Sequence, residues 1–438
     1  MTMQASFFPR PRPRWAIRRS AFTFDNFVLA ALPLGLTVSF NLVGQLLLSD
    51  LLVVVFFFVL LGKGRITLRQ PYLRPLLLLL GLWFAAAIIS DIVNASSTDK
   101  LLRGWVKILL FGLYLTVIFT LVNGSRAKLA IALVAFGLSQ VLKTDLTEVE
   151  LAGDLTAENT FRTAWKFGIG FGTSIILCAL VFFQTGKRRL SSLVLLLYSP
   201  IHLILGARSM FLATFLAALL SHFSKPIISA RARRQAVFAF VVLLVGGLVV
   251  GGVAYDRMTR AGVFGEIARE KHIVQTEGGT NFLLGGRAES LISFIAIRDK
   301  PIFGHGSWAE NHGYRMMYLR LKELRGQTVR WEAGYSTRNS LIPSHSMLFG
   351  AMVEHGMFAA PFWLFVLSLA LRAIPAGVLG HRPAVGFELM AVLLLIWDAF
   401  FSPFGAARRC YEAIFICTAS LLLLQNKPAK PQRLINPI

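Results

Sequence analysis

Long apolar runs separated by short polar stretches set the pattern of this chain from residue 27 almost to its end. The runs are aliphatic and Phe-rich, about 16 to 20 residues each, and a helix needs about 20 apolar residues to cross a hydrocarbon core of about 30 Å. Membrane β-strands would alternate apolar and polar positions, and these runs do not. The pattern predicts spans at 27–42, 46–62, 75–93, 104–122, 129–143, 166–184, 190–206, 209–224, 236–254, 357–373, 385–402 and 411–424. The fold class expected is therefore an all-α polytopic membrane protein, a bundle of about twelve transmembrane helices with one large external loop.

That loop is where the pattern breaks. Residues 255–343 are polar and rich in arginine, which divides the chain into a basic tail (1–26), nine helices (27–254), a cap loop (255–343), three helices (344–424) and a second tail (425–438). Inside the loop, Leu291, Phe294 and Ile295 recur at helical spacing between Arg287 and Lys300. Pro301 ends that helix, and Gly304 and Gly306 make the turn that follows. A smaller acidic loop, 145–163, lies on the same side, and no internal repeat suggests the inverted halves of a transporter.

Composition agrees: 55% of residues are hydrophobic and 15% charged, against roughly a quarter charged in soluble domains. Orientation follows from Lys and Arg, which membrane proteins retain in cytoplasmic loops. Arg10, Arg12, Arg14, Arg18 and Arg19, then the clusters at 63–74, 126–128, 187–189, 225–234 and 427–433, all fall on one side. Both termini are thus expected in the cytoplasm, with no cleavage site to make the basic start a removed leader. The net charge of +23 would suggest nucleic acid in a soluble protein; here the cytoplasmic cations meet anionic headgroups, so membrane lipids are the expected partner and nucleic acid is not.

The external cations are different. Arg257, Arg260, Arg269, Lys271, Arg287, Arg298, Lys300, Arg315, Arg320, Lys322, Arg325, Arg330 and Arg338 are not required by orientation, and read either as a solvated surface or as a site for an anionic ligand. Trp308 and Trp331 are interfacial or sugar-stacking aromatics, or packing. Cys178, Cys410 and Cys417 lie in or beside spans without a CxxC spacing, so they read as packing residues. Lys107 and Asp398 fall inside spans near a helix end, where snorkelling or an ion pair is expected, Asp398 with Arg408 or Arg409.

Five short motifs occur in a fixed order: Gly206-Ala207-Arg208-Ser209, Gly286-Arg287, Asp299-x-Pro301-x-x-Gly304-x-Gly306, Ser344-His345 and Glu354-x-Gly356. This succession resembles the O-antigen ligase and Wzy-type polymerase superfamily over residues 195–375, and the remainder resembles it only in helical layout. Many relatives carry Asn where Ser346 follows His345. The resemblance implies a GT-C-like, metal-independent, inverting glycosyltransferase of the bacterial inner membrane, needing no cofactor. Its donor would be an undecaprenyl-pyrophosphate-linked glycan. Its acceptor would be a lipid-linked glycan for a polymerase, the reading preferred, or lipid A core sugar for a ligase.

The chemistry asks for the residues that the resemblance picks out. A leaving pyrophosphate gathers charge on its oxygens in the transition state, and a planar guanidinium can meet two of them at once; Arg208 and Arg287 are the expected clamp. The acceptor hydroxyl must lose a proton, work suited to a histidine, and His345 is the expected base. His305 is an expected auxiliary binder of phosphate or sugar; Glu354 would orient substrate or cap the insert. His305, His312 and His355 share no helical face and no HExxH is present, so no metal is expected. The rival reading, a transporter or flippase, calls for ionisable groups along a midplane path, and the spans show few. In spheroplasts, a membrane-impermeant maleimide is expected to label Glu323→Cys directly and Lys187→Cys only after permeabilisation; the reverse pattern would invert this topology.

Overall fold

The computed structural model describes residues 23–42, 44–68, 70–143, 157–227, 252–263, 288–324 and 340–426, with isolated positions between them. The outer parts of both tails, most of the expected ninth span, most of the acidic loop, Lys271, Trp331, Arg325, Arg330 and Arg338 lie outside the described residues. Helix α1 (Phe24–Leu34) starts on Thr23, whose hydroxyl accepts the Asn26 N–H. It ends well before residue 42, and the chain turns through an antiparallel hairpin, β1 (Ser39–Leu42) and β2 (Gly44–Leu47), with Ser39 opposite Leu47. The first expected span is corrected accordingly. Its last residues read as apolar, but Gly44 at φ +88° supplies a turn that only glycine adopts readily, and the strand wins.

From there the apolar runs become helices: α2 (Leu48–Gly62), α3 (Leu73–Val93), α4 (Thr98–Val122) and α5 (Arg126–Leu142). Helix α6 (Ala157–Ala164) passes through a π-helical turn (Trp165–Ile169) into α7 (Gly170–Thr185), followed by α8 (Arg188–Ile204) and α9 (Arg208–Phe223). The external insert supplies α10 (Ala288–Asp299) and α11 (His312–Leu324), and the chain closes with α12 (Met347–His355), α13 (Ala360–Leu379), α14 (Gly386–Phe401) and α15 (Arg408–Gln425). Among the described residues, four helices are long and apolar enough to cross a membrane: Leu73–Val93, Thr98–Val122, Phe161–Thr185 and Met357–Leu379. At about 1.5 Å per residue, each covers the hydrocarbon core of about 30 Å. The protein is helical and membrane-embedded.

Exposed faces support this. On α2, Leu51, Val55 and Phe58 stand one turn apart and are 50%, 55% and 62% exposed, a stripe that water would penalise and lipid does not.

Helix ends sort by charge. Arg65 and Lys128 both meet Asp25, at 2.8 and 2.6 Å; Arg126 pairs with Glu388; and Arg188 reaches Ser221 and Ser224. These contacts gather the starts of α1, α5, α8 and α14 and the end of α9 at one basic end. The starts of α9 and α15 and the insert stand at the other, called outward below.

Charge inside the bundle is more abundant than the sequence suggested. Helix α15 begins three residues ahead of the expected 411 and draws Arg408 and Arg409 in with it. Arg409 pairs with Asp50 at 2.7 Å, and Arg408 stands 2.7 Å from Asp398. Asp50 also accepts the Leu47 N–H at 2.9 Å and lies 3.1 Å from the Tyr114 hydroxyl. Such a pair survives burial because each charge is met. Arg409→Met is expected to lose about 3–5 kcal/mol of stability by stranding Asp50, and Asp50→Leu/Arg409→Met to recover most of it, read as Tm in detergent; equal losses would show that the pair is not coupled.

Candidate functional site

The insert folds on its own small core at the outward end, built from Ala288, Ile292, Ala296, Tyr318, Leu319, Ile342 and Val353. Helix α10 realises the expected amphipathic helix and stops at Asp299, before Pro301, as the restriction on a residue preceding proline favours. The turn after it meets the end of α12 backbone to backbone. His305 N donates to Val353 O at 2.8 Å, Gly306 N to Glu354 O at 2.9 Å, and Met357 N to Pro301 O at 2.8 Å. Gly304 has φ +68°, and a Cβ there would lie 2.6 Å from Glu354 O; Gly356 has φ +74°, and a Cβ there would strike Ile302 O. The two glycine motifs are thus the two sides of one seam.

Under the seam lies a closed polar chain. The Trp83 indole N–H donates to His355 Nδ1 at 3.0 Å, which leaves the imidazole proton on Nε2, 3.0 Å from Ser307 Oγ. The Ser307 hydroxyl and backbone N–H donate to Asp91 at 2.8 and 2.7 Å, and Trp105 adds a third bond at 2.8 Å. Serine, histidine and aspartate in contact suggest a nucleophile, but the protons run the other way. A nucleophilic serine gives its proton to histidine; here histidine gives to serine and serine to aspartate. The chain is a tether between α3, α12 and the insert. Asp91 and Ser307 carried no sequence signal, since neither belongs to a motif.

Lys107 finds the ion pair that its place in a span required, with Glu354 at 2.7 Å. Glu354 thereby fastens α12 to α4. His305 is half-buried, its Nε2 lies 2.9 Å from Ala296 O, and its ring meets the Tyr314 edge at 5.5 Å. Burial holds its pKa below the ordinary histidine value. The Tyr314 hydroxyl donates to Asp299 at 2.7 Å. That bond, with Arg298, lowers the Asp299 pKa, while burial and then Asp299 push Tyr314 up to about 12.

Arg208 and His345 stand apart from the seam. Arg208 opens α9 directly after a turn at Gly206, where Ala207 N donates to His202 O at 2.7 Å. His202 is itself fixed, taking the Trp165 indole N–H at 3.1 Å and facing Ser174 Oγ at 2.9 Å, the same Trp–His–Ser order as under the seam. The Arg208 guanidinium lies 5.0 Å above the Tyr255 ring. His345 is exposed just ahead of α12. Its neighbour Ser346 caps that helix by accepting the Phe349 N–H at 3.0 Å, and donates to Ala399 O at 2.8 Å. Ala399 lies in the last turn of α14, and α9 packs along α14. Ser346, next to His345, is thus tied to the last turn of α14, and Arg208 opens a helix that packs along α14. Arg287 lies outside the described residues.

Among the described residues no three His, Cys, Asp or Glu are grouped to hold a metal ion, and the three cysteines are free and buried. The chain matches no protein-family model, no curated protein and no solved structure. Gly304→Ala is expected to undock the insert, exposing new protease cuts near 299–310, while Gly405→Ala, where a Cβ meets nothing within 4 Å, leaves the digest unchanged; identical digests would remove the seam as the anchor.

Proposed function

We propose that the protein is a GT-C-like glycosyltransferase with about twelve spans, which moves an oligosaccharide from undecaprenyl pyrophosphate to an acceptor hydroxyl on the periplasmic face of the bacterial inner membrane. The acceptor of choice is a second lipid-linked glycan, so that the enzyme polymerises a surface polysaccharide, exopolysaccharide or O-antigen. Lipid A core, the acceptor of a ligase, is the alternative. The observation that supports this reading is that Ser346, beside the exposed His345, is tied to the last turn of α14, while α9, which Arg208 opens, packs along the same helix. A lipid pyrophosphate sits at that depth, its tail in the bilayer and its charge at the surface.

The reaction needs no metal in this scheme. The acceptor oxygen attacks the anomeric carbon from the face opposite the pyrophosphate, inverting that centre. The bond to pyrophosphate breaks and its electron pair leaves with the phosphate oxygen, stabilised by Arg208 and, on the resemblance, Arg287. His345 takes the hydroxyl proton. His305 is the auxiliary binder of phosphate or sugar beside them, and Glu354 orients substrate while its pair with Lys107 holds the insert in place.

A second reading is favoured by a specific observation. Asp50, Asp398, Glu412 and Arg409 are buried within α2, α14 and α15, and intramembrane ionisable groups mark transport paths. The same assay separates the readings. Purified protein, without divalent metal, is given an undecaprenyl-pyrophosphate oligosaccharide with a lipid-linked or a lipid A core acceptor. Transfer is expected, reduced about 10²–10⁴-fold in His345→Ala and about 10²–10³-fold in Arg208→Ala. Long products indicate a polymerase and single additions to core a ligase; no transfer to either acceptor would leave the transporter.

A further inference from the structure

Buried charge in this bundle is met in two different ways. Asp50 and Arg409 match one to one, and both carboxylate oxygens of Asp50 have polar partners. Asp398 on α14 and Glu412 on α15 instead share one guanidinium. Arg408 Nη1 lies 2.7 Å from Asp398 Oδ1 but 3.6 Å from Glu412 Oε1, too far for a hydrogen bond. The Ser402 hydroxyl donates to Asp398 at 2.5 Å. Glu412 is 0% exposed, and neither of its carboxylate oxygens has a hydrogen-bond partner. Protein interiors rarely leave a buried polar group unmet, and a carboxylate least of all.

With both carboxylates ionised, one guanidinium would leave a single negative charge inside the bundle. The groups on the other elements packed against α15 are engaged elsewhere or stand apart. On α4, Lys107 is tied to Glu354 and Tyr114 to Ser49. On α5, Arg126 and Lys128 are tied to Glu388 and Asp25 at the basic end, and Lys143 stands past the outward terminus. Helix α13 brings the exposed Arg372, and α1 brings Asp25. Side chains of Asp398 and Arg408 are 11% and 22% exposed, whereas Glu412 is fully buried.

We propose that Asp398 and Glu412 form a site for one exchangeable positive charge, a proton or a sodium ion, entered past Arg408 from the outward end. Two carboxylates and the Ser402 hydroxyl make a hard oxygen donor set, suited to these occupants and not to a soft transition metal. The site stands independently of the transfer reaction.

Thermal unfolding of the purified full chain in detergent tests it, with sodium exchanged for choline at constant ionic strength and over a series of pH values. An occupant that binds only the folded state raises Tm with its concentration. Wild-type Tm is expected to rise by several degrees with sodium at fixed pH if sodium is the occupant, or with acidification alone if it is the proton. Glu412→Gln is expected to remove that response, since a neutral amide needs no counter-charge. Asp398→Asn, which leaves Arg408 and Glu412 matched one to one, removes it as well and carries the test if the first variant fails to fold. A wild-type Tm indifferent to both, or a full response retained in a folded variant, overturns the proposal.

Discussion

Where the turn after α10 meets the end of α12, two backbones approach so closely that neither Gly304 nor Gly356 has room for a side chain. Three N–H···O bonds and the Asp91–Ser307–His355 chain hold that contact. The geometry of the outward end follows from it. Docking α12 places Ser346 against the last turn of α14 and so fixes where His345 begins. The same docking gives Lys107 a partner inside a span, where an unmatched ammonium would be costly.

Recurring hardware secures the loops that carry the candidate residues. His355 and His202 each take an indole N–H on Nδ1 and face a serine hydroxyl with Nε2. In both places the imidazole tautomer is fixed by its neighbours, and both indole and hydroxyl are satisfied without water. One device sits beneath the insert and the other beneath the turn that opens α9 on Arg208. The turn that opens α9 on Arg208 and the insert docked beside α12 are thus each held by a buried Trp–His–Ser chain.

Much of the helical layout was legible because apolar runs of span length admit few alternatives. Charge placement likewise sorted the helix ends, since Arg65, Lys128, Arg126 and Arg188 gather as the loop bias predicted. The hairpin at 39–47 was not legible: Val38, Phe40 and Leu42 serve a strand as well as a span, and Gly44 decides only in context. The glycine motifs were visible as turns, but their meaning lay in a contact between residues some fifty positions apart. Asp91 and Ser307 are ordinary polar residues until the fold brings them together. Glu412 lay inside the expected span 411–424, but its partner was not legible: the early start of α15 brings Arg408 into the helix one turn ahead of it, and no local pattern announces a helix beginning three residues sooner.

A structure of the protein in lipid with undecaprenyl pyrophosphate bound tests the central claim most directly. The account predicts the pyrophosphate against Arg208 at the outward end of α14, within reach of the space before His345. Pyrophosphate held at the basic end, or at the outward end but away from both residues, would contradict it.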